Sequence, residues 1–437
     1  MGEVRQGRQK LPGYQAQPGD SGVDHSKRKL ADGVSDLKPF LHDHDHVEPI
    51  MYSCQTEDET WAYRCRCSFQ LVTNDAHGTV DYAMREQKQP IPLGSDFFPI
   101  ATLRIQRAMK DLLEKILNAS SSSFVAMKRN VTSVTFSSAW NDVPESDCIV
   151  TLHYDKPLDQ ENWKTEASIA CDMLDLRQLN GRSRKCLVSA KDDEKCQSIR
   201  DRLWLYKLPT NDAWRVTLNP VNSRELIKDV ISVQYEKPHT AFYHPNARAM
   251  TQSLEWLLSR LSLIVRESPS SRRPSLLEMY CGCGAHTMPL LMSGLLEEIV
   301  AVELDVRLVD ALRNNVFINK AAADDGHEQI QRTPLKLVQG DAGDWAKRVT
   351  NNQFNKHDIL LVDPPRNGLD EKVCQLAVAV ESLQHLLYVS CGRQALLRDL
   401  ERLSPAFKVV DCALVDLFPR LDAIETLVHL QRRNFPK

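Results

Sequence analysis

The stretch SLLEMYCGCGAHTMPLL, residues 275–291, places Gly282 and Gly284 directly after an apolar strand pattern and just before a helical one. A chain that turns from strand to helix in so few residues, and lets a ligand approach its backbone, needs glycine at such points. Taken alone, G-x-G fits a plain strand-to-helix turn as well as a nucleotide-type loop. The next strand pattern, IVAVEL (299–304), moves the reading toward a ligand: it ends in Glu303, about twenty residues on, where a carboxylate accepts hydrogen bonds from a ribose. Position 287 is Thr287 and not a third glycine, which disfavours a dinucleotide and favours a cofactor without a pyrophosphate, such as S-adenosylmethionine.

Outward from this loop the rhythm repeats. LLEMY (276–280), IVAVEL, LKLVQGDA (335–342), DILLVDPP (358–365) and LLYVSC (386–391) are each followed by a helical stretch, the signature of a parallel, doubly wound sheet. KVVDCALVDLF (408–418) and ETLVHLQRR (425–433) add two closing strands. Asp341 ends the third strand, where it either faces an adenine or caps the next helix. From Met51 to about Pro238 the pattern is mixed: WAYRCRCSFQLV (61–72), VTSVTF (131–136) and CIVTLHY (148–154) read as strands. Ile105, Ala108, Met109, Leu112, Leu113 and Ile116 form one face of a helix that leaves Arg104, Arg107 and Lys110 outside, and Trp163–Leu176 reads as a second helix. Residues 1–49 are rich in glycine and charge and poor in aliphatic clusters, so they read as a disordered tail, with His42 to His46 a solvated polar run. The expected organisation is therefore a tail over 1–49, an α+β domain over 50–240 and a Rossmann-like α/β domain over 241–437.

Composition narrows the class. With 55 Lys+Arg against 58 Asp+Glu, the net charge of -3 excludes a bulk polycation, so a nucleic-acid site must be a local patch. Twelve cysteines in 437 residues are too sparse for a disulfide scaffold, and reduced thiols in an intracellular compartment are expected. The opening MGEVRQGRQK lacks the apolar core of a secretory signal. The longest uncharged stretch, Met279 to Leu296, is broken by three glycines and Pro289, so no membrane span is expected. The cytoplasm is the expected compartment, with nucleus and organelle left open by the basic run at Lys27 to Lys29.

Three further blocks carry chemistry. DILLVDPPRNGLD (358–370) delivers Asp363 to the carboxyl end of a buried strand, where open α/β sheets bind ligands. Base-amino methyltransferases place an aromatic residue after the two prolines and cytosine-C5 RNA enzymes a cysteine, whereas Arg366 stands here. HLLYVSCGRQALLRDL (385–400) sets Cys391 between a strand end and a helix start, the place for a nucleophile, where the helix dipole lowers a thiol pKa. In DLFPRLDAIETLVHL (416–430), Glu425 interrupts an apolar strand and is either a paired core acid or a base that serves the cysteine. Tyr63, Arg64 and Arg66 read either as an RNA contact or as alternating surface residues of a strand.

These blocks, in this order, resemble the signature blocks of the RNA uracil-C5 methyltransferases that use S-adenosylmethionine. Upstream, AYRCRCSF (62–69), REQKQPIPLGSDFFPIAT (85–102), TLHYDKPLDQENWKTEA (151–167) and AFYHPNARAMTQSLEWL (241–257) are similar to the tRNA (uracil-54) C5-methyltransferase branch. The resemblance runs from Met51 to the C-terminus. It implies an α/β fold with a C-terminal Rossmann-like S-adenosylmethionine-dependent methyltransferase domain and an N-terminal α+β RNA-binding domain. It implies Cys391 as nucleophile and Glu425 as proton acceptor, with His244, Tyr280, Gly282, Gly284, Ala285, Glu303 and Asp363 around the cofactor and uracil. Four departures stand out: His244 for the family's Gln, Ala285 for its Asn, Gly392-Arg393 for its Asn-Pro, and Leu421, Asp422, Ala423 for its Thr-x-His. The implied partner is tRNA, with no protein partner, no metal and no iron-sulfur cluster, since Cys54, Cys65 and Cys67 do not match cluster spacing. Uracil-C5 methylation of ribosomal RNA, and an RNA-binding or tRNA-folding protein that has lost catalysis, are the alternatives.

Overall fold

The computed structural model describes residues 21–41, 47–74, 78–86, 89–93, 98–120, 122–141, 146–184, 186–191, 197–208, 213–219, 230–239, 241–268, 272–324, 333–349 and 357–433. The chain forms two compact units. One gathers Met1–His25, Gln55–Arg200 and Pro419–Asp422, and the other Ser26–Cys54, Asp201–Phe418 and Ala423–Lys437.

The described chain opens with helix α1 (Gly22–Leu41) and strand β1 (Ile50–Tyr52). Then come the strands of the first unit, β2 (Arg66–Asn74), β3 (Thr79–Glu86) and β4 (Gln89–Pro92), followed by α2 (Leu103–Leu112) and the short α3 (Val125–Lys128). β5 (Val131–Ser138), β6 (Cys148–Tyr154), α4 (Gln160–Met173), β7 (Gln178–Ser183) and β8 (Cys186–Ser189) complete it. These strands form one sheet in the order β4-β3-β2-β5-β6-β7-β8. Its pairs are antiparallel except β6 with β7, which are parallel because α4 crosses between them. Alternation along the strands stacks Phe69, Tyr82 and Phe136 on one face, with ring centroids 5.6 to 6.3 Å apart.

Two surface readings are corrected here. Arg104 is buried, because its guanidinium donates to the Ser146 and Asp175 carbonyls, while Ile105, Ala108, Met109 and Leu112 fill the apolar face of α2 as expected. Tyr63 is a core residue whose hydroxyl donates to the Pro419 carbonyl at 2.8 Å.

The second unit continues with β9 (Ser198–Lys207), whose first residues lie in the first unit, β10 (Trp214–Thr217) and β11 (Ile231–Pro238), a small sheet of order β10-β9-β11. Then follow α5 (Ala247–Glu267), β12 (Leu276–Met279), α6 (Thr287–Met292), β13 (Ile299–Glu303), α7 (Val306–Asp324) and β14 (Leu335–Gln339). Next are α8 (Ala342–Val349), β15 (Ile359–Val362), α9 (Glu371–Ala379), β16 (His385–Ser390), α10 (Arg393–Leu403), β17 (Phe407–Val415) and β18 (Glu425–Arg432). The main sheet has the order β1-β17-β18-β16-β15-β12-β13-β14. β12 to β16 are parallel, as the rhythm of apolar strands and helices predicts, and β18 runs antiparallel to both β16 and β17. The strand order reverses at β12, whose neighbours are β13 and β15, and that switch point opens a crevice at the carboxyl ends of the strands.

Both faces of this sheet are covered, which explains why β12 and β15 are buried at every residue. The period of two sorts the side chains: Leu277, Met279, Val300, Val302, Leu360, Val362 and Tyr388 share a core with α8, α9 and α10. Leu30 and Leu37 of α1 belong to the same core, with Val34 and Leu41 packed against it.

The disordered tail expected over 1–49 is thereby corrected for Gly22–Leu41; residues 1–20 and His42 to His46 lie outside the described residues. The boundary expected at 240 falls near Asp201. β11 lies along α7, where Asn315 and Asn319 accept the Glu236 and Gln234 amide protons at 2.7 and 2.8 Å, so the small sheet goes with the second unit. No helix among the described residues is long and apolar enough to cross a membrane.

Leu30 is fully buried, so Leu30→Ala is expected to lower the stability of the second unit by about 3 kcal/mol, read as a fall in the denaturation midpoint. A tail that merely trailed in solvent would leave the midpoint unchanged.

Candidate active site

The site is built at the carboxyl ends of the main sheet, within the second unit. β12 ends at Met279 and the backbone then curls, with positive φ at Tyr280 (65°), Gly282 (58°) and Gly284 (88°). A Cβ on Gly284 would sit 2.4 Å from Leu312, so glycine is required there on two counts. Nothing lies within 4 Å of a Cβ built on Gly282, which leaves open space in front of the loop. Glu303, at the end of β13, ties the loop to its neighbour: its carboxylate accepts the Gly282 N–H at 2.9 Å and the Asp305 N–H at 2.8 Å. Each oxygen keeps a lone pair for a further donor. Of the two readings of Asp341 the structure shows the cap, since its carboxylate accepts the Asp344 N–H at 2.9 Å at the start of α8. Ala285 offers no polar side chain, and its carbonyl accepts from the Tyr235 hydroxyl at 3.1 Å. Burial pushes the Tyr280 hydroxyl up to about 12, so it stays a neutral donor.

The other end of the site is set by register. β16 pairs with β18 so that Ser390 lies opposite Thr426, and just beyond that pair Cys391, after β16, and Glu425, the first residue of β18, stand side by side. Among the described cysteines only Cys391 and Cys186 are not buried. The expectation that the helix dipole lowers the Cys391 pKa is corrected: burial, with the Asp363 and Glu425 carboxylates nearby, raises it, and the Arg366 guanidinium opposes them. Gly392 is forced by packing, because a Cβ there would lie 2.3 Å from the Arg366 carbonyl oxygen.

Glu425 is buried, which by itself would push its carboxyl up, yet His244, Ser253 and His286 hold it below the usual range. Ser253 of α5 donates to one oxygen at 2.7 Å and His244 Nε2 lies 3.0 Å from the other. The Asn246 N–H donates to His244 Nδ1 at 3.3 Å, so the ring proton sits on Nε2 and points at the carboxylate. Asn246 caps α5, accepting from Arg248 and Ala249, and donates to the Leu417 carbonyl at 2.8 Å. The motif His-Pro-Asn thus starts a helix and orients an acid at once.

Asp363 follows β15, half-buried, with its carboxyl well above the ordinary range through burial and the charges of Glu425 and Glu278. Two residues that the sequence did not single out join it. Glu278 is buried in β12 and burial lifts it to about 8; the signal was a carboxylate inside a strand of four. His286, buried with Nδ1 3.8 Å from Asp363, is pushed down to about 4 by burial. The structure therefore brings Cys391, Glu425, His244 and Asp363 together, and sets Gly282 and Glu303 against each other at the glycine loop.

The model of the family described as tRNA (Uracil-5-)-methyltransferase matches residues 25–227 and 214–433. A tRNA/tmRNA (uracil-C(5))-methyltransferase of Ectopseudomonas mendocina (strain ymp) is 28% identical over 419 residues, covering 93% of this chain and 96% of that protein. One from Sulfurovum sp. (strain NBC37-1) is 27% identical over 373 residues, covering 85% and 86%. The fold is similar to that of the Pyrococcus abyssi tRNA (uracil-54, C5)-methyltransferase, solved in complex with S-adenosyl-L-homocysteine. That match has a TM-score of 0.56 at 15% identity over 93% of this chain and 83% of that one.

Because Cys391 lies among carboxylates, its alkylation by iodoacetamide, followed by peptide mass spectrometry, is expected to have a pH midpoint above that of free cysteine. Arg366→Ala should move that midpoint higher still. A midpoint below that of free cysteine would show that the helix dipole outweighs the acids.

Proposed function

We propose that this chain, which belongs to the tRNA (uracil-5-)-methyltransferase family, transfers a methyl group from S-adenosylmethionine to C5 of a tRNA uridine, at T-loop position 54, through a covalent Cys391 adduct. The observation that carries this reading is the β16–β18 register, which sets a thiol and an ionised carboxylate side by side at the mouth of the switch-point crevice. The position and substrate rest on the names of the relatives and of the fold neighbour. The first unit, which the family model also spans, is assigned to tRNA contact.

The glycine loop fits the cofactor: it leaves open space at Gly282 and a carboxylate, Glu303, with lone pairs to spare for a ribose. Tyr280, Gly284 and Asp363 complete that side, and His244 is reassigned from the cofactor to Glu425. S-adenosylmethionine, when bound, supplies the electrophilic methyl group. Uracil C5 is a weak nucleophile, so the Cys391 thiolate adds to C6 and moves electron density onto C5. Arg366, the cation beside the thiol, favours the ionised form. After C5 carries the methyl group, Glu425 takes the C5 proton and the thiolate leaves, restoring the double bond. A carboxylate that Ser253 and His244 keep ionised is ready for that proton at neutral pH. Asp363, protonated more readily than an ordinary acid, can donate to a uracil oxygen or hold the cofactor. The target base must leave its stack to reach the crevice.

Two measurements test this. A tRNA T-arm with 5-fluorouridine at position 54 should give an adduct that survives denaturing electrophoresis with wild type and none with Cys391→Ala. Glu425→Gln should accumulate the adduct on ordinary uridine, with turnover reduced on the order of a thousandfold. No adduct in either case, with RNA and cofactor bound, would favour a binding-only protein, and trapping on ribosomal RNA alone would move the substrate. By calorimetry, Glu303→Ala should weaken S-adenosylhomocysteine binding by roughly tenfold or more, the loss of a hydrogen bond to a charged acceptor.

A further inference from the structure

Helix α1 and Arg393, which replaces a family proline, have no part in the chemistry above. From Ser26 onward α1 belongs to the same unit as the catalytic pair. Lys29 is buried, and its ammonium group pairs with Asp416 at 2.5 Å and donates to the Phe418 and Ala423 carbonyls at 2.8 and 3.2 Å. Asp416 and the two carbonyls together hold the buried ammonium charge. Those carbonyls flank the connection from β17 to β18, and Ala423 lies two residues before Glu425. One turn on, a Cβ at Gly33 would lie 2.5 Å from Leu414 and 2.6 Å from Ile424, so the helix backbone presses directly on that connection. A further turn on, the Asp36 carboxylate pairs with Arg393, whose guanidinium also donates to the Asp32 carbonyl at 2.6 Å. Arg393 opens α10, two residues after Cys391.

Lys29, Gly33 and Asp36 are spaced i, i+4, i+7 and share one helix face, with contacts spread over roughly 10 Å of helix at 1.5 Å per residue. We infer that α1 is a brace joining the nucleophile loop to the base loop, in which Arg393 positions Cys391 and Lys29 positions Glu425. This rests on the roles proposed for those two residues. It accounts for one departure from the family pattern: an arginine stands in place of proline at 393, where it meets Asp36. A rigid tie matters here because a thiol and a carboxylate must meet opposite sides of one bond, C5–C6, in sequence.

The test uses the full chain, with Lys29→Met, Asp36→Asn and Lys29→Arg compared with wild type. Hydrogen–deuterium exchange should rise in peptides covering 416–425 in Lys29→Met, and in those covering 391–396 in Asp36→Asn. Lys29→Arg should restore part of the protection. With a tRNA substrate, kcat should fall at least tenfold in Lys29→Met while KM changes less than twofold; in Asp36→Asn, adduct formation with 5-fluorouridine RNA should slow. Should Lys29→Met fail to fold, the half-exposed Asp36 variant carries the test alone. Unchanged exchange in both regions, or faster exchange with wild-type kcat, overturns the brace. Lack of any wild-type adduct instead overturns the role of Cys391, and with it the catalytic purpose of the brace, while the exchange result still reports whether the ties exist.

Discussion

The antiparallel pairing of β18 with β16 is the constraint from which the site follows, because it decides which two side chains leave the sheet together. With Ser390 opposite Thr426, Cys391 and Glu425 emerge as neighbours, although 34 positions separate them in sequence. A slip of one residue would turn every side chain of β18 to the other face and send Glu425 away from the thiol. That slip is resisted on both sides, since β18 is also registered against β17 from Phe407 to Val415 and is buried from Glu425 to Leu430. The chemistry thus inherits its alignment from the hydrophobic core.

The same burial creates an electrostatic problem that the surrounding residues resolve unequally. Asp363 and Glu425 are carboxyls near the Cys391 thiol, and Glu278 acts on Asp363 from β12, in a low dielectric where like charges cannot all persist. Donors decide which stays ionised. Glu425 has Ser253 and a proton-bearing His244 nitrogen, and is held down; Glu278 and Asp363 have less and are pushed up. Environments that separate the pKa values of neighbouring acids assign them different work, one to accept a proton and the others to donate or stay neutral.

The parallel sheet, its switch-point loop and the strand-end positions of Cys391 and Glu425 were legible in the sequence because each rests on a local pattern: apolar strands, G-x-G after a strand, and a polar residue at the end of an apolar run. What was illegible needed partners far away in the chain. Arg104 was placed outside by helical periodicity, but its carbonyl acceptors at Ser146 and Asp175 come from later loops. The thiol was expected to be acidified by the helix start, a local effect, whereas the carboxylates that oppose it arrive from β15 and β18. α1 was hidden differently: averaged over 49 residues the composition was that of a tail, yet Leu30, Val34, Leu37 and Leu41 already stood at helical spacing.

The departures from the family pattern show how an altered environment can keep a reaction. His244, which stands where the family has Gln, turns a donor toward Glu425 because the Asn246 backbone proton occupies Nδ1 and leaves the ring proton on Nε2. The helix cap therefore has a second effect: the turn that places Asn246 at the start of α5 also selects the tautomer of His244. Gly392 follows the same logic from the steric side, since the Arg366 backbone crosses so close that no side chain fits, and that proximity brings the guanidinium near the Cys391 thiol. At both positions nearby backbone groups, the Asn246 N–H and the Arg366 carbonyl, decide what the side chain can be or how it points.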